Sequence, residues 1–198
     1  ALRSGGLLTS LECLSWESEE RTEPEDPPPG HRLFFLSTMP STLRTCDLQI
    51  FSGVKDLVSI EMCHGPYPDV TCGFIEHLDL SSIHTLRFDN VPLRDPFLFE
   101  LENRRQQGTL GEITVFRSRH DWFSADTIRQ TVARWTSLRR LSLNGRCLTP
   151  GAVRALEGLR KLSVLDVTLA QPNEQLLQEM RQALPGCEVY VHGHGLGL

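Results

Sequence analysis

The sequence predicts an α/β solenoid, with a parallel sheet along its concave side and helices along its convex side. Three observations carry that prediction. Apolar residues recur as a strand-like triplet: Leu138, Leu141 and Leu143 return as Leu162, Leu165 and Val167, 24 residues later. Between the triplets lies a helix signal, with Thr149 placed to cap, Pro150 at the first helical position, and Val153, Leu156 and Leu159 on one face. The triplet also recurs along most of the chain. A unit that returns every ~20–30 residues cannot bury its apolar side alone, so copies must stack.

The elements follow in order. Leu8, Leu11 and Cys13 have the strand spacing, which places the start of the chain inside an array; an amphipathic helix through Leu7, Leu11 and Leu14 is the competing reading. Residues 17–30 are acidic and proline-rich, and too polar to build a core, so they read as a loop inserted into one repeat. An apolar block, HRLFFLSTMP, comes next, then strand candidates at Leu43, Cys46 and Leu48 and at Leu57, Ile60 and Met62. Those two candidates lie only 14 residues apart, too few for a full helix between them.

From residue 57 the register is regular: Ile83, Leu86 and Phe88; Leu110, Ile113 and Val115; Leu138 and Leu162 with their partners; then Leu184, Cys187 and Val189. The segments between read as helices. Asp69 caps one bearing Val70, Phe74 and Leu78, and Asp95 with Pro96 opens one bearing Phe97 and Leu101. Ser124 caps one with Ile128, Val132 and Trp135 inward, and Asn173 caps the last, with Leu176, Leu177 and Met180 inward. Residues 192–198 are expected to be a flexible tail. The whole chain, 1–198, reads as a single domain and as part of a longer array.

Charge and cysteine content narrow the function classes. The net charge of −5 resides in residues 17–30, where six acids meet one arginine; the remainder is formally neutral. A basic footprint for nucleic acid is therefore absent, and no apolar run approaches the ~18 residues of a membrane helix. Cys13, Cys46 and Cys187 occupy places that Leu or Val takes in other repeats, which fits small buried thiols. Reduced cysteines imply an intracellular compartment, cytoplasmic or nuclear, with a mitochondrial location as the alternative.

The stretches LRRLSLNGRCLTPGAVRAL and LRKLSVLDV, with PSTLRTCDLQI as an echo, resemble the leucine-rich-repeat superfamily. The resemblance is to the cysteine-containing type found behind F-box domains and in ribonuclease-inhibitor-like proteins, and it covers roughly residues 43–191. It implies a leucine-rich-repeat solenoid and a non-catalytic protein-interaction module, as in F-box-type adaptors. The closing run LRKLSVLDVTLAQPNEQLLQEMRQALPGCEVYV is also similar to the C-terminal repeats of the mitochondrial ATP synthase subunit s family. That similarity implies, alternatively, a structural or assembly subunit of a large complex. Asparagines that would form an internal ladder after each strand are missing at Val91, Ser118 and Arg146.

Candidate chemistry is sparse. Cys63, His64, Cys72 and His77 have a metal-ligand flavour, but the cysteines are too far apart for the usual zinc pairing. His192 and His194 fall in the glycine-rich tail, and His120 and Asp121 near Ser118 and Ser124 lack a nucleophile elbow. Gly108 and Gly111 lack the lysine of a phosphate loop, and Arg117 with Arg119 at a strand exit reads as solvated. No catalytic residue, metal or cofactor is expected. The candidates come from geometry instead: if alternate strand residues face the concave side, they form rows. One row reads Glu61, Arg87, Thr114, Ser142, Asp166, Glu188, and the next reads Cys63, Asp89, Phe116, Asn144, Thr168, Tyr190. Glu112 and Arg140 belong to a third. Partner binding is assigned to Glu61, Arg87, Asp89, Glu112, Phe116, Arg140, Asn144, Asp166 and Tyr190, with Phe116, Tyr190, Arg87 and Arg140 as anchors. The competing role for Arg87 and Arg140 is neutralising neighbouring acids across the sheet.

Overall fold

The structure, a computed structural model, describes residues 32–36, 57–63, 75–76, 78–89, 91–118, 121–169, 171 and 173–193. Seven strands form one sheet in chain order, and every neighbouring pair is parallel. They are β1 (Arg32–Leu36), β2 (Leu57–Cys63), β3 (Thr85–Asp89), β4 (Val115–Ser118), β5 (Arg140–Asn144), β6 (Val164–Leu169) and β7 (Glu188–Gly193). Among the described residues, four α-helices have stated bounds and lie between the later strands: α1 (Asp95–Gln106), α2 (Ala125–Gln130), α3 (Pro150–Ala155) and α4 (Glu174–Ala183). The sheet is open, and the class is α/β.

The apolar side of the sheet and the inner faces of the helices share one core. Leu86, Phe88, Leu141, Leu143, Leu165 and Val167 from the strands are buried with Phe97, Leu101, Ile128, Val153, Leu156 and Met180 from the helices and the turns that extend them. An aromatic cluster joins the two layers. Phe88 stands edge-on to Phe97 with ring centroids 5.0 Å apart, and Phe116 stands edge-on to Trp135 at 5.4 Å. Such pairs add roughly 0.5–1.5 kcal/mol to the burial of their area.

The caps expected at Ser124, Thr149 and Asn173 form, each side-chain oxygen accepting from the backbone N–H three residues on. Asp95 differs: it is the first residue of α1, and its Oδ1 accepts from the Ser124 N–H at 2.8 Å, tying the start of one helix to the next. The helix read from Asp69 lies outside the described residues except at Ile75 and Glu76, which are helical, and at Leu78; Ile75 and Leu78 are buried.

Three registers differ from the sequence reading. The strand beside β2 is β1, within the apolar block, with Phe34 opposite Ile60; the segment at Leu43–Leu48 lies outside the described residues. In β4 the inward residues are Phe116 and Ser118, with Ile113 entering, in place of Ile113 and Val115 entered by Leu110. Leu110 instead bridges Leu80, and Gly111 lets this approach lie flat on the preceding turn, where a β-carbon would come within 2.7 Å of the Ile83 nitrogen. In β7 Val189 lies opposite Leu165 and Val191 opposite Val167, two residues beyond the expected frame. His192 and Gly193 consequently belong to the strand, against the tail expected from residue 192, and residues 194–198 lie outside the described residues.

Candidate interaction face

Alternation along the strands sends one set of side chains into the core and the other onto the opposite face. In-register pairing then lines up Glu61, Arg87, Arg117, Ser142, Asp166 and Tyr190 across β2 to β7. Beside this row run Thr85, Val115, Arg140, Val164 and Glu188 on one flank. On the other flank Asp89 follows Cys63, and Asn144, Thr168 and His192 form a second group.

The charges on this face pair across strands. Arg87 Nη1 reaches Glu61 Oε1 at 3.1 Å, and Arg117 Nε reaches Asp89 Oδ1 at 3.3 Å. His192 Nε2 lies 3.1 Å from Asp166 Oδ1. At the last strand the Tyr190 hydroxyl donates to Glu188 Oε2 at 2.8 Å, and this hydrogen bond holds the phenol above its ordinary pKa. Arg140 is close enough to oppose that shift. Tyr190 is 50% exposed, and Arg140 is exposed as well. The face thus carries cross-strand polar pairs and ends in an exposed aromatic on β7, with an exposed arginine on the same face two strands away.

Of the residues assigned to partner binding, Glu61, Arg87, Asp89, Arg140, Asp166 and Tyr190 lie on this face, although Tyr190 takes the row expected for Glu188. Glu61 is buried beneath its arginine. Phe116 is a correction: it is fully buried, packed among Phe88, Phe123 and Trp135, because β4 pairs with its neighbours in a different frame. Glu112 is a second correction. It precedes β4, with its backbone oxygen 2.9 Å from His84 Nδ1 and its carboxylate accepting from Ser137; Val115 takes the strand place assigned to it. Asn144 is a third. Its side chain is buried and accepts from the Arg146 N–H, shaping the turn after β5.

Sequence reasoning missed two members of the face, Arg117 and His192. Arg117 pairs across to Asp89, and its signal was the alternative triplet Ile113, Phe116, Ser118. Asp121 holds a structural place between two turns. It stands eight residues after Ile113, as Val91 and Arg146 do after Ile83 and Leu138, in the place searched for a ladder asparagine. It is buried, and Oδ2 accepts from the Asn144 N–H at 3.0 Å, binding one turn to the next. Burial pushes this carboxyl up to about 7, against the hydrogen bonds that lower it. Beside it Cys147, a free thiol donating to the Asn144 carbonyl oxygen, is raised well above its usual value by burial first and by Asp121 second.

The other motifs have structural duties. Ser124 caps α2, Gly108 ends α1 with φ of +71°, and Ser118 is buried in the core face of β4. His64, Cys72, His77, Arg119, His120 and His194 lie outside the described residues. Among the described residues, no group of three or more His, Cys, Asp or Glu is arranged to hold a metal ion, and no helix is long and apolar enough to cross a membrane. The sequence matches no protein-family model, and a search of curated proteins gives no match.

Proposed function

We propose that this chain is a leucine-rich-repeat solenoid whose open sheet face recognises another protein, as the receptor part of an F-box-type or similar intracellular adaptor. The repeat reading is supported by the parallel strands in chain order and by the recurrence of Ile83, Ile113, Leu138 and Leu162 at equivalent strand entries. The observation that carries the binding reading is the in-register row ending in exposed Tyr190, with exposed Arg140 on the same face two strands away. Tyr and Arg are the residue types that dominate interface hot spots, because each offers a large contact area with directional hydrogen bonding. The cross-strand ion pairs pre-order the surrounding side chains, which lowers the entropy lost when a partner docks. Free Cys147 and Cys187 fit a reducing compartment.

A photo-crosslinking amino acid in place of Tyr190 tests this reading in cells. The expected result is a discrete crosslinked protein that is absent when the same group replaces exposed Gln178 on α4. Equal crosslinking from both positions, or none from Tyr190, would refute the assignment of the sheet face. Recovery of the same crosslinked protein in a stable multi-subunit complex would favour the structural-subunit alternative.

A further inference from the structure

We infer that the edge where the strands exit carries a recognition site separate from the sheet face, made of Arg94, Trp122 and Arg146, which takes a protein segment presenting an acidic side chain beside an apolar one. Trp122 is 63% exposed, the most exposed large apolar side chain among the described residues. Its backbone is nonetheless firmly held. The Trp122 N–H donates to the Leu93 carbonyl oxygen at 2.8 Å, Arg94 and Trp122 form a parallel bridge, and the residues on either side, Asp121 and Phe123, are buried. An exposed indole on an anchored backbone has little freedom left to lose on binding, which is the condition that makes an aromatic an interface anchor.

The arginines lie to either side in the neighbouring turns. Arg146 places its guanidinium carbon 5.3 Å from the centroid of the Trp122 ring, and its own backbone is fixed by the bond to Asn144 and by buried Cys147 next to it. Arg94 precedes α1 and is exposed, with no side-chain cap to make. Among the described residues, neither guanidinium pairs with a carboxylate. The nearby acids are committed elsewhere: Asp95 to the Ser124 N–H, Asp126 to Arg129, and Asp121 to the Asn144 N–H.

One guanidinium over an apolar ring, with a second arginine on the backbone bridged to it, defines the occupant. A guanidinium binds a carboxylate through parallel N–H donors, and the indole covers an adjacent aliphatic or aromatic side chain. Nucleic acid is the other chemistry that stacks on an aromatic between cations. It is disfavoured because two arginines can neutralise too few phosphates to track a strand, and beyond residues 17–30 the bases do not outnumber the acids.

Panning a random peptide display library against the full chain tests the site. Selected peptides are expected to carry Asp or Glu within two positions of an aromatic or aliphatic residue. Their affinity should fall at least about tenfold in Trp122→Ala and severalfold in the Arg94→Gln/Arg146→Gln double variant, and should weaken with added salt. The charge-reversed Arg94→Glu/Arg146→Glu variant should select basic peptides instead. All these positions are exposed, and thermal melts matching the parent chain establish that the variants remain folded. Selection of no peptide, selection without acidic enrichment, or affinity undiminished in both variant sets overturns the proposal. So does tighter binding of a labelled single-stranded oligonucleotide than of any selected peptide, lost in Trp122→Ala.

Discussion

Phe116 and Tyr190 carry similar rings into opposite environments, and the difference is measurable. Phe116 is enclosed by Phe88, Phe123 and Trp135, so Phe116→Ala should destabilise the fold by about 3–5 kcal/mol in urea denaturation. Tyr190→Ala, at an exposed position, should change stability by no more than about 0.5 kcal/mol. Equal effects would mean that the strand frame is wrong. Asp121 makes a prediction in pH. Its carboxyl is raised from 3.8 to about 7 by burial, so between those values the folded chain keeps a proton that the unfolded chain has released. Its contribution is full below about pH 4 and is lost as pH rises towards 7, in total roughly 2–4 kcal/mol. Asp121→Asn keeps an acceptor for the Asn144 N–H and cannot ionise. The variant should therefore gain on the parent from pH 4.5 to about 7 in thermal melts and level off above that; a constant difference across the range would contradict a buried Asp121 with a raised pKa.

Elements were legible wherever the local signal and the tertiary pairing agreed. Ser124, Thr149 and Asn173 cap their helices as the sequence indicates, and replacing any one with Ala should lose about 1 kcal/mol of stability. The frame of β4 was not legible, because two triplets overlap there. Leu110, Ile113 and Val115 are all apolar, whereas Ile113, Phe116 and Ser118 end in a polar residue that the core nevertheless buries. Choosing between them needed the pairing to β3 and β5, which a hydrophobic pattern does not contain. In β7 the place corresponding to Leu162 is Gly186, so the pattern had no apolar residue there to mark the frame. Gly111 tests the β4 approach directly. Gly111→Ala should cost about 1–3 kcal/mol because its β-carbon meets the Ile83 backbone, while Gly158→Ala, with open space around it, should be neutral or stabilising.

Across the whole molecule, in-register parallel strands turn short side-chain rows into a continuous surface, and the candidate site was only partly readable for that reason. Arg87, Arg140 and Asp166 could be placed from spacing alone. Arg117, His192 and the Arg94–Trp122–Arg146 edge depend on which turns lie side by side. The central claim is that the face ending in Arg140 and Tyr190 selects a protein partner. The most direct measurement compares proteins retained from the chain's own cells by the parent and by the Arg140→Ala/Tyr190→Ala double variant, quantified by mass spectrometry, with thermal melts in parallel. At least one protein should be retained by the parent and reduced at least about tenfold with the variant, at an unchanged melting temperature. The same proteins in the same amounts from both would contradict the claim.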